Sequence, residues 1–222
     1  MAQCKSCGKK GWFMSVNKAG ECSSCEWRVK FDTNQRIRII QDSQKLISNS
    51  KNTKTVFSRY KVLFEHLEAI AGYEARGYSL MEPSATTLLS GYLKSRQETA
   101  SLTIKSEIES IEHKASLQIS AKPKINDLNK ALLKIAEWKK EFIGFGVDDL
   151  LETEEVRIQQ NIHSIRLAAF MTEYDKAIFM GKKDRAKAQL QEALYFVKTD
   201  MIPDEQQVHI ISDIEAKLKE LS

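Results

Sequence analysis

Four cysteines, all that the chain of 222 residues contains, lie within its first 25 residues. They form two pairs, Cys4-x-x-Cys7 and Cys22-x-x-Cys25, which fourteen residues separate. Two intervening residues let a tight turn bring both sulfurs of a pair to one ion, so two such pairs predict a tetrahedral Cys4 site for one structural zinc ion. A four-cysteine iron–sulfur cluster and a set of free or redox-active thiols are the alternatives.

The predicted site is structural, because four thiolates fill the zinc shell and leave no position for water or substrate. The rest of the chain has no Gly-rich phosphate loop, no Gly-x-Ser-x-Gly and no His-Glu-x-x-His. The histidines have no Glu or second His at metal-ligand spacing, and the acidic clusters are typical of solvated helix faces. These histidines are His66, His113, His163 and His209. We therefore expect a protein that is not an enzyme and has no small-molecule substrate.

The residues around the cysteines predict how they are positioned. Residues 11–16 fit one strand of a β-hairpin and residues 17–20 fit its turn, while Gly8 suits a turn that needs positive φ. One face of that strand is expected to cover the site, with Trp12, Met14 and Val16. The second pair runs into helix-compatible residues, which places Cys22 and Cys25 at a helix start, where free N–H groups favour thiolates.

Charge is unevenly distributed along the chain, although the net charge is only +4. Residues 1–60 contain 12 Lys or Arg and 4 Asp or Glu, whereas residues 61–222 contain 22 and 26. Four thiolates with one zinc ion leave the first part at about +6. A basic end on an acidic body predicts a polyanionic or acidic partner, or complementarity within the chain. The candidate contact residues are Lys5, Lys9, Lys10, Lys18, Arg28 and Lys30.

Apolar residues at helical spacing predict long antiparallel helices after the cysteines, with few glycines and prolines to interrupt them. Residues 32–34 fit the cap of a first helix, whose apolar side holds Ile37, Ile40 and Ile47. The second helix ends near Gly77, and its seam consists of Val56, Tyr60, Leu63, Leu67 and Ile70. A third helix is predicted over residues 85–118 with Ser84 as its cap. Short strands at residues 101–104 and 116–120 are the alternative there.

The sequence Lys-Pro-Lys at residues 122–124 breaks the helical pattern and marks a candidate subdomain boundary. A helix with a second apolar seam follows, from Ile125 to Phe142, and Gly144 and Gly146 end it. Further helices are predicted over residues 153–180 and 204–221. The domain organisation we expect is a Cys4 zinc finger over residues 1–30, a helical region over 31–120 and a helical bundle over 121–222.

Residues 170–200 resemble one tetratricopeptide-like helical hairpin. In that motif a glycine closes the first helix, and small residues on the second helix let the two helices approach closely. The matching residues are Ala177, Gly181, Ala186, Leu190 and Ala193. The proline that is characteristic of the motif is displaced, since Lys198 occupies its place and Pro203 follows five residues later. We therefore expect a single repeat-like hairpin, which the last helix covers.

The sequence Gly-Trp-Phe-Met-Ser-Val-Asn together with Gly-Glu-Cys resembles small zinc-finger modules, of treble-clef or zinc-ribbon type, at the front of bacterial and phage proteins of unassigned role. The resemblance implies zinc and no particular activity. No stretch of the chain is long and apolar enough for a membrane helix, and the first residues have no apolar secretion signal. Because clustered thiols persist where they are kept reduced, we expect a cytoplasmic protein.

Two functions are compatible with these features. The first is a protein-interaction or adaptor module that uses helical faces to bind a protein partner or a second copy of itself. The second is a nucleic-acid-binding protein that uses the basic finger, in which exposed Trp12 and Trp27 could stack on bases. Because these tryptophans fit a small finger core equally well, the sequence favours the protein-interaction function.

Overall fold

The computed structural model of the chain describes residues 2–200 and 202–221. Within these residues it contains seven α-helices and one two-stranded antiparallel sheet, which confirms the predicted mainly α fold. The strands are β1 (Ala2–Gln3) and β2 (Lys10–Gly11). The helices are α1 (Ser23–Asn49), α2 (Thr53–Glu74), α3 (Ala85–Ser116), α4 (Ala121–Glu141), α5 (Asp148–Phe179), α6 (Lys183–Thr199) and α7 (Val208–Glu220), with a 3₁₀ turn at Asp204–Gln206.

The chain divides into two compact units, Met1–Thr103 and Ile104–Ser222, and the division falls within α3. Buried apolar residues form a separate cluster in each unit. The division predicted from the sequence, into residues 1–30, 31–120 and 121–222, stays a prediction.

Helices α1 and α2 of the first unit form an antiparallel hairpin, because only three residues connect them and contacts run along both helices. At the end of this hairpin that lies away from the connecting residues, Asp32 accepts a hydrogen bond from the Tyr73 hydroxyl at 2.8 Å. One helical turn further on, Arg36 contacts the His66 ring at 3.0 Å. The predicted seam of α2 is buried against α1 and the start of α3, and the core holds Ile40, Leu63, Leu67, Ile70 and Ala85.

The loop between α2 and α3 ends at Ser84, as the sequence predicts. The Ser84 hydroxyl accepts a hydrogen bond from the Thr87 N–H at 3.3 Å, which satisfies one of the free donors at the helix start. A second donor, the Ala85 N–H, is bound by the carboxylate of Glu74 at 2.9 Å. Helix α3 continues to Ser116 and no strand follows it at residues 117–120, so the alternatives of strands at residues 101–104 and 116–120 are both wrong.

In the second unit, helices α4 to α7 contact one another in chain order, and α5 also contacts the last part of α3. Arg157 of α5 forms a forked pair with Glu112 of α3, with N–O distances of 2.6 and 2.9 Å. Lys139 near the end of α4 pairs with Glu155 near the start of α5. The break predicted at residues 122–124 falls in the first turn of α4, because the interruption between α3 and α4 lies a few residues earlier, at residues 117–120. Pro123 lies in the first turn of α4, where a missing N–H removes no helical hydrogen bond.

Helices α5 and α6 form the helical hairpin that the repeat-like sequence predicts. The small residues expected at close contacts are fully buried, and α7 covers this hairpin through Ile214. These small residues are Ala177, Ala186 and Ala193. The hairpin is therefore observed, whereas its relation to tetratricopeptide repeats stays a prediction.

Two local predictions for the N-terminal part are wrong. Residues 32–34 do not cap a helix, because α1 begins at Ser23 and runs through them without interruption. Residues 12–16 do not form a strand, since β2 ends at Gly11 and pairs with β1 rather than with a later segment. The turn at residues 17–20 is confirmed by a hydrogen bond from the Gly20 N–H to the Asn17 carbonyl at 2.8 Å.

Candidate metal centre

The four cysteine sulfurs lie within 4.8 Å of one another, so the two predicted pairs converge on one site. The sulfurs of Cys7 and Cys22, one from each pair, are 3.8 Å apart. In a tetrahedral zinc site with bonds of about 2.3 Å, two sulfurs are separated by about 3.8 Å. The side chains are therefore arranged as four ligands of one ion, and the fit supports a structural metal.

The first pair is held by a tight turn that follows β1. The Gly8 N–H donates to the Cys4 carbonyl at 2.9 Å, and the Cys4 N–H donates to the Lys9 carbonyl at 2.9 Å. Gly8 has φ of +69°, a conformation that other residues adopt only with strain, so the prediction for this glycine is confirmed. The turn brings Cys7 back toward Cys4 across the two intervening residues.

The second pair lies at the start of α1, as the sequence predicts. Cys22 is the residue that precedes the helix, and Cys25 lies in its first turn. The Cys22 N–H donates to the Cys4 sulfur at 3.3 Å, which links the two pairs directly. The positive end of the helix dipole also favours thiolate charge at these two residues.

The thiols differ in how readily they ionise before a metal binds. Backbone N–H groups of Cys7 and Cys22 stabilise the thiolate of Cys4 and lower its pKa to about 6. Burial and the neighbouring thiols raise the pKa of Cys25 to about 12. Because a metal binds thiolates, its binding must release the proton of Cys25.

Glu21 anchors the cysteine-bearing segment, residues 2–25, to the loop that follows α2. We call residues 2–25 the metal segment. The buried Glu21 carboxylate accepts hydrogen bonds from Ser6 at 2.6 Å, from Arg76 at 3.2 Å and from the Tyr78 hydroxyl. Asn17 of the metal segment also contacts the Tyr78 hydroxyl at 3.4 Å. The metal segment is thus packed on the loop that follows α2, a contact for which the sequence offered no signal.

The pKa values of Glu21 and Tyr78 favour the protonation states that this contact requires. Burial by itself raises the pKa of Glu21, but hydrogen bonds from Ser6 and Tyr78 and the charge of Arg76 outweigh it and lower the pKa below its ordinary value. Burial and the Glu21 carboxylate raise the pKa of Tyr78 to about 12. At neutral pH the carboxylate is therefore charged and the hydroxyl remains a donor.

The aromatic residues near the metal site are exposed, contrary to the prediction that one strand face covers the cysteines. Trp12 is 84% exposed and Val16 is 38% exposed, and of the three predicted covering residues only Met14 packs against the cysteines. Phe13 is also fully exposed. The prediction fails because residues 12–16 do not alternate as a strand would.

On α1, Trp27 and Phe31 are 64% and 53% exposed, and their rings stack on each other with centroids 5.3 Å apart. Their spacing of four residues places both rings on the same side of the helix. The sequence left open whether Trp27 belongs to a small core of the metal segment or is exposed. The structure shows that it is exposed.

All six residues proposed as polyanion contacts are exposed. Lys30 pairs with Glu26 at 2.6 Å, so part of its charge is neutralised. Within residues 2–200 and 202–221, no ion pair within 4.0 Å involves the other five, Lys5, Lys9, Lys10, Lys18 and Arg28. Whether these residues contact a polyanion stays a prediction.

One side-chain pair outside the metal site was not expected from the sequence. His163 of α5 lies 2.6 Å from the carboxylate of Asp200, and its ring stacks on Phe196. Asp200 also accepts hydrogen bonds from Gln207 and from the Ile202 N–H. His163 lies within the helix predicted over residues 153–180, but its partner lies 37 residues away in the sequence, so no local pattern could reveal the pair.

No protein-family model, curated protein or solved structure shows significant similarity to the chain. The resemblance of the N-terminal motif to small zinc-finger modules therefore rests on the cysteines and the residues around them. Among the residues that the structure describes, no helix is long and apolar enough to cross a membrane.

Proposed function

We propose that the protein is a non-enzymatic adaptor, in which a structural zinc ion holds the metal segment in shape and the surface beside it binds a partner. The observation that carries the proposal is the exposure of four aromatic side chains on and beside the metal segment. They are Trp12, Phe13, Trp27 and Phe31.

This exposure matters because a small metal-stabilised segment has little apolar surface with which to build a core. The four aromatic rings lie outside that core, so their apolar surface is in contact with water and a partner could bury it. Aromatic residues with arginine are also the types that contribute most to binding energy at interfaces. The exposed cations Lys9, Lys10 and Arg28 are close in sequence to these aromatic residues and form no ion pair among the described residues, so they add positive charge to this part of the chain.

The adaptor function is assigned to this surface rather than to the helical seams. The seam of α2, which the sequence offers as a partner surface, is buried within its own unit. Along α4, Leu128, Ile135 and Trp138 are buried as well. The apolar seams of α2 and α4 therefore contribute to the core of the chain and provide no argument for self-association.

A structural and not a catalytic role for the ion follows from the ligand set. Four thiolates complete the zinc shell, so no site for water or substrate remains on the ion. Three of the four cysteines are buried, and only Cys7 is exposed. The thiolate set also suits a cytoplasmic protein, since that compartment keeps thiols reduced.

The metal is tested by elemental analysis of protein purified without added metal. We expect one zinc ion per chain, and we expect Cys4→Ser with Cys22→Ser to reduce the zinc content to background. Iron together with a visible absorption band would contradict the zinc assignment and favour the iron–sulfur alternative.

Partner binding is tested by co-purification of the tagged full chain from its native host, with and without nuclease. We expect a partner with the wild-type protein, and at least a fivefold smaller yield with Trp27→Ala and Phe31→Ala together. The matched control is Tyr195→Ala, an aromatic residue that is 70% exposed on α6. Equal recovery with both variants, or no partner at all, contradicts the proposal.

A further inference from the structure

We propose that the partner surface on α1 binds single-stranded nucleic acid, an inference that rests on the proposed function and specifies its partner. The surface is a strip of seven exposed residues, which we call the α1 strip. It consists of Ser24, Trp27, Arg28, Phe31, Asn34, Gln35 and Arg38.

Helix geometry places these seven side chains on one side of α1. At about 100° per residue they fall within an arc of about 120°, and they extend over about 21 Å of helix. The opposite side carries the buried Val29, Thr33 and Ile40, which face the core of the unit. The strip is therefore a continuous outward face of a helix whose other face is anchored.

The two aromatic rings of the strip are arranged to accept bases. Trp27 and Phe31 stack nearly parallel, with 18° between their planes, so each covers one face of the other. Because both residues are more than half exposed, their outer sides remain in contact with water. Stacking of an unpaired base on such a ring is worth about 1–3 kcal/mol by alanine substitution and tolerates any base.

The charges of the strip suit a phosphate backbone. Arg28 and Arg38 contribute two positive charges, and no described residue forms an ion pair with either of them. The strip contains no Asp or Glu. The nearest acidic groups on this part of α1 are already engaged, Glu26 with Lys30 and Asp32 with Arg36. Asp42, which is exposed one turn beyond Arg38, marks the end of the basic stretch.

Single strands fit this combination better than the other anionic partners. A duplex hides the faces of its bases, so the two rings would remain without a stacking partner. An acidic protein surface could pair with the arginines, but it would not supply a series of flat faces. Asn34 and Gln35, which lie between Phe31 and Arg38 along the strip, can donate and accept hydrogen bonds at phosphates or base edges.

The test measures fluorescence anisotropy of labelled single-stranded oligonucleotides, oligo(dT) and oligo(rU), with the zinc-loaded full chain at about 150 mM salt. We expect the single strands to bind more tightly than a duplex of equal length. Trp27→Ala with Phe31→Ala should weaken binding at least about tenfold. Tyr195→Ala should leave binding unchanged, and circular dichroism should show that all variants keep their helix content.

A second pair of variants tests the charges. Arg28→Gln with Arg38→Gln should reduce the slope of log affinity against log salt by about 1.4, because each phosphate contact with a single strand contributes about 0.7. The control, Lys182→Gln with Lys183→Gln, neutralises two exposed lysines of the second unit and should not change the slope.

The outcomes separate this inference from the proposed function. Failure to bind single strands, preference for a duplex, or equal binding by the aromatic variant overturns the inference. If a nuclease-resistant protein partner is nevertheless lost with Trp27→Ala and Phe31→Ala, the adaptor function stands with a protein as its partner. If neither the binding of oligonucleotides nor the recovery of a co-purified partner depends on Trp27 and Phe31, both proposals fail.

Discussion

Glu21 shows how a single buried carboxylate connects the metal segment to the rest of its unit. Its side chain is 2% exposed, and its partners come from the metal segment itself and from the loop after α2. Burying a carboxylate is costly unless it is hydrogen-bonded and paired with a cation, and Glu21 has both kinds of partner. Its charge is therefore compensated only when the metal segment and this loop are in contact.

Replacement of Glu21 by Gln keeps the shape of the side chain but removes the charge that Arg76 and Tyr78 bind. We expect the free energy of unfolding of the zinc-loaded protein, measured with urea, to fall by about 1–3 kcal/mol. The control is Glu68→Gln, at an exposed position of α2. If both variants have the stability of the wild type, the contact through Glu21 does not stabilise the protein.

Asp32 provides a pH-dependent contribution to the α1–α2 contact. Partial burial raises the pKa of Asp32, but hydrogen bonds from Arg36 and Tyr73 more than compensate, so its pKa in the folded protein lies below the ordinary value of 3.8. A group whose pKa is lowered by folding contributes stability above its unfolded pKa. That contribution is lost as the pH falls through its folded value.

We therefore expect Asp32→Asn to destabilise the protein by about 1 kcal/mol at neutral pH, an amount that allows for solvent screening of this partly exposed group. The difference between variant and wild type should shrink below about pH 4. Urea unfolding at several pH values measures it, and loss of zinc in acid affects both proteins alike. A difference that stays constant down to about pH 2 would show that the Asp32 charge does not contribute.

The elements of the fold could be predicted where local patterns determine them. Apolar residues at helical spacing identified the seam of α2, and the cysteine spacing placed Cys22 and Cys25 at a helix start. Residues 32–34 were misread as a helix cap because Asp and Asn favour caps in isolation. In the folded protein the Asp32 carboxylate binds Arg36 and the distant Tyr73 instead, and α1 continues through it.

The metal segment was harder to predict than the helices. Alternating residues suggested a strand over residues 11–16, yet the pairing uses Ala2 with Gly11 and Gln3 with Lys10. In so short a segment the cysteine geometry outweighs side-chain alternation, since the turn at Gly8 must bring two sulfurs to one point. Exposure of Trp12 follows from that turn and could not be derived from the sequence pattern.

The contact between α5 and α6 depends on small side chains, and this gives a prediction at the level of a helix pair. Ala186 is completely buried, so Ala186→Leu must displace its neighbours and should lower the free energy of unfolding by about 1–3 kcal/mol. Ala188→Leu is the matched control, because Ala188 lies on the exposed side of the same helix. It should change stability by less than about 0.5 kcal/mol. Equal effects of the two substitutions, measured by thermal unfolding, would refute the close contact.

For the whole molecule, the two units differ in what stabilises them. The second unit has a core of its own, with Leu190, Val197 and Ile214 among its buried residues, and needs no metal for it. In the first unit, the core of α1, α2 and the start of α3 is apolar, whereas the buried cluster described for the metal segment consists of Cys4, Cys22 and Cys25 with Met14 packed against them. Removal of the metal should therefore act on one part of the chain.

Chelation of zinc should melt the metal segment and leave most of the helix content in place, since four unligated thiols cannot replace a core. Hydrogen–deuterium exchange should become faster in residues 2–22. It should also become faster in residues 75–84, because the Glu21 contact to Arg76 and Tyr78 is lost with the metal segment. Exchange in α4 to α6 should stay unchanged, and added zinc should reverse the effect.

The variant Glu21→Gln separates the two contributions when it is studied with zinc bound. It should speed exchange at residues 75–84 and leave exchange around the four cysteines unchanged. A collapse of the far-ultraviolet helix signal on chelation would instead mean that the metal supports the fold of both units.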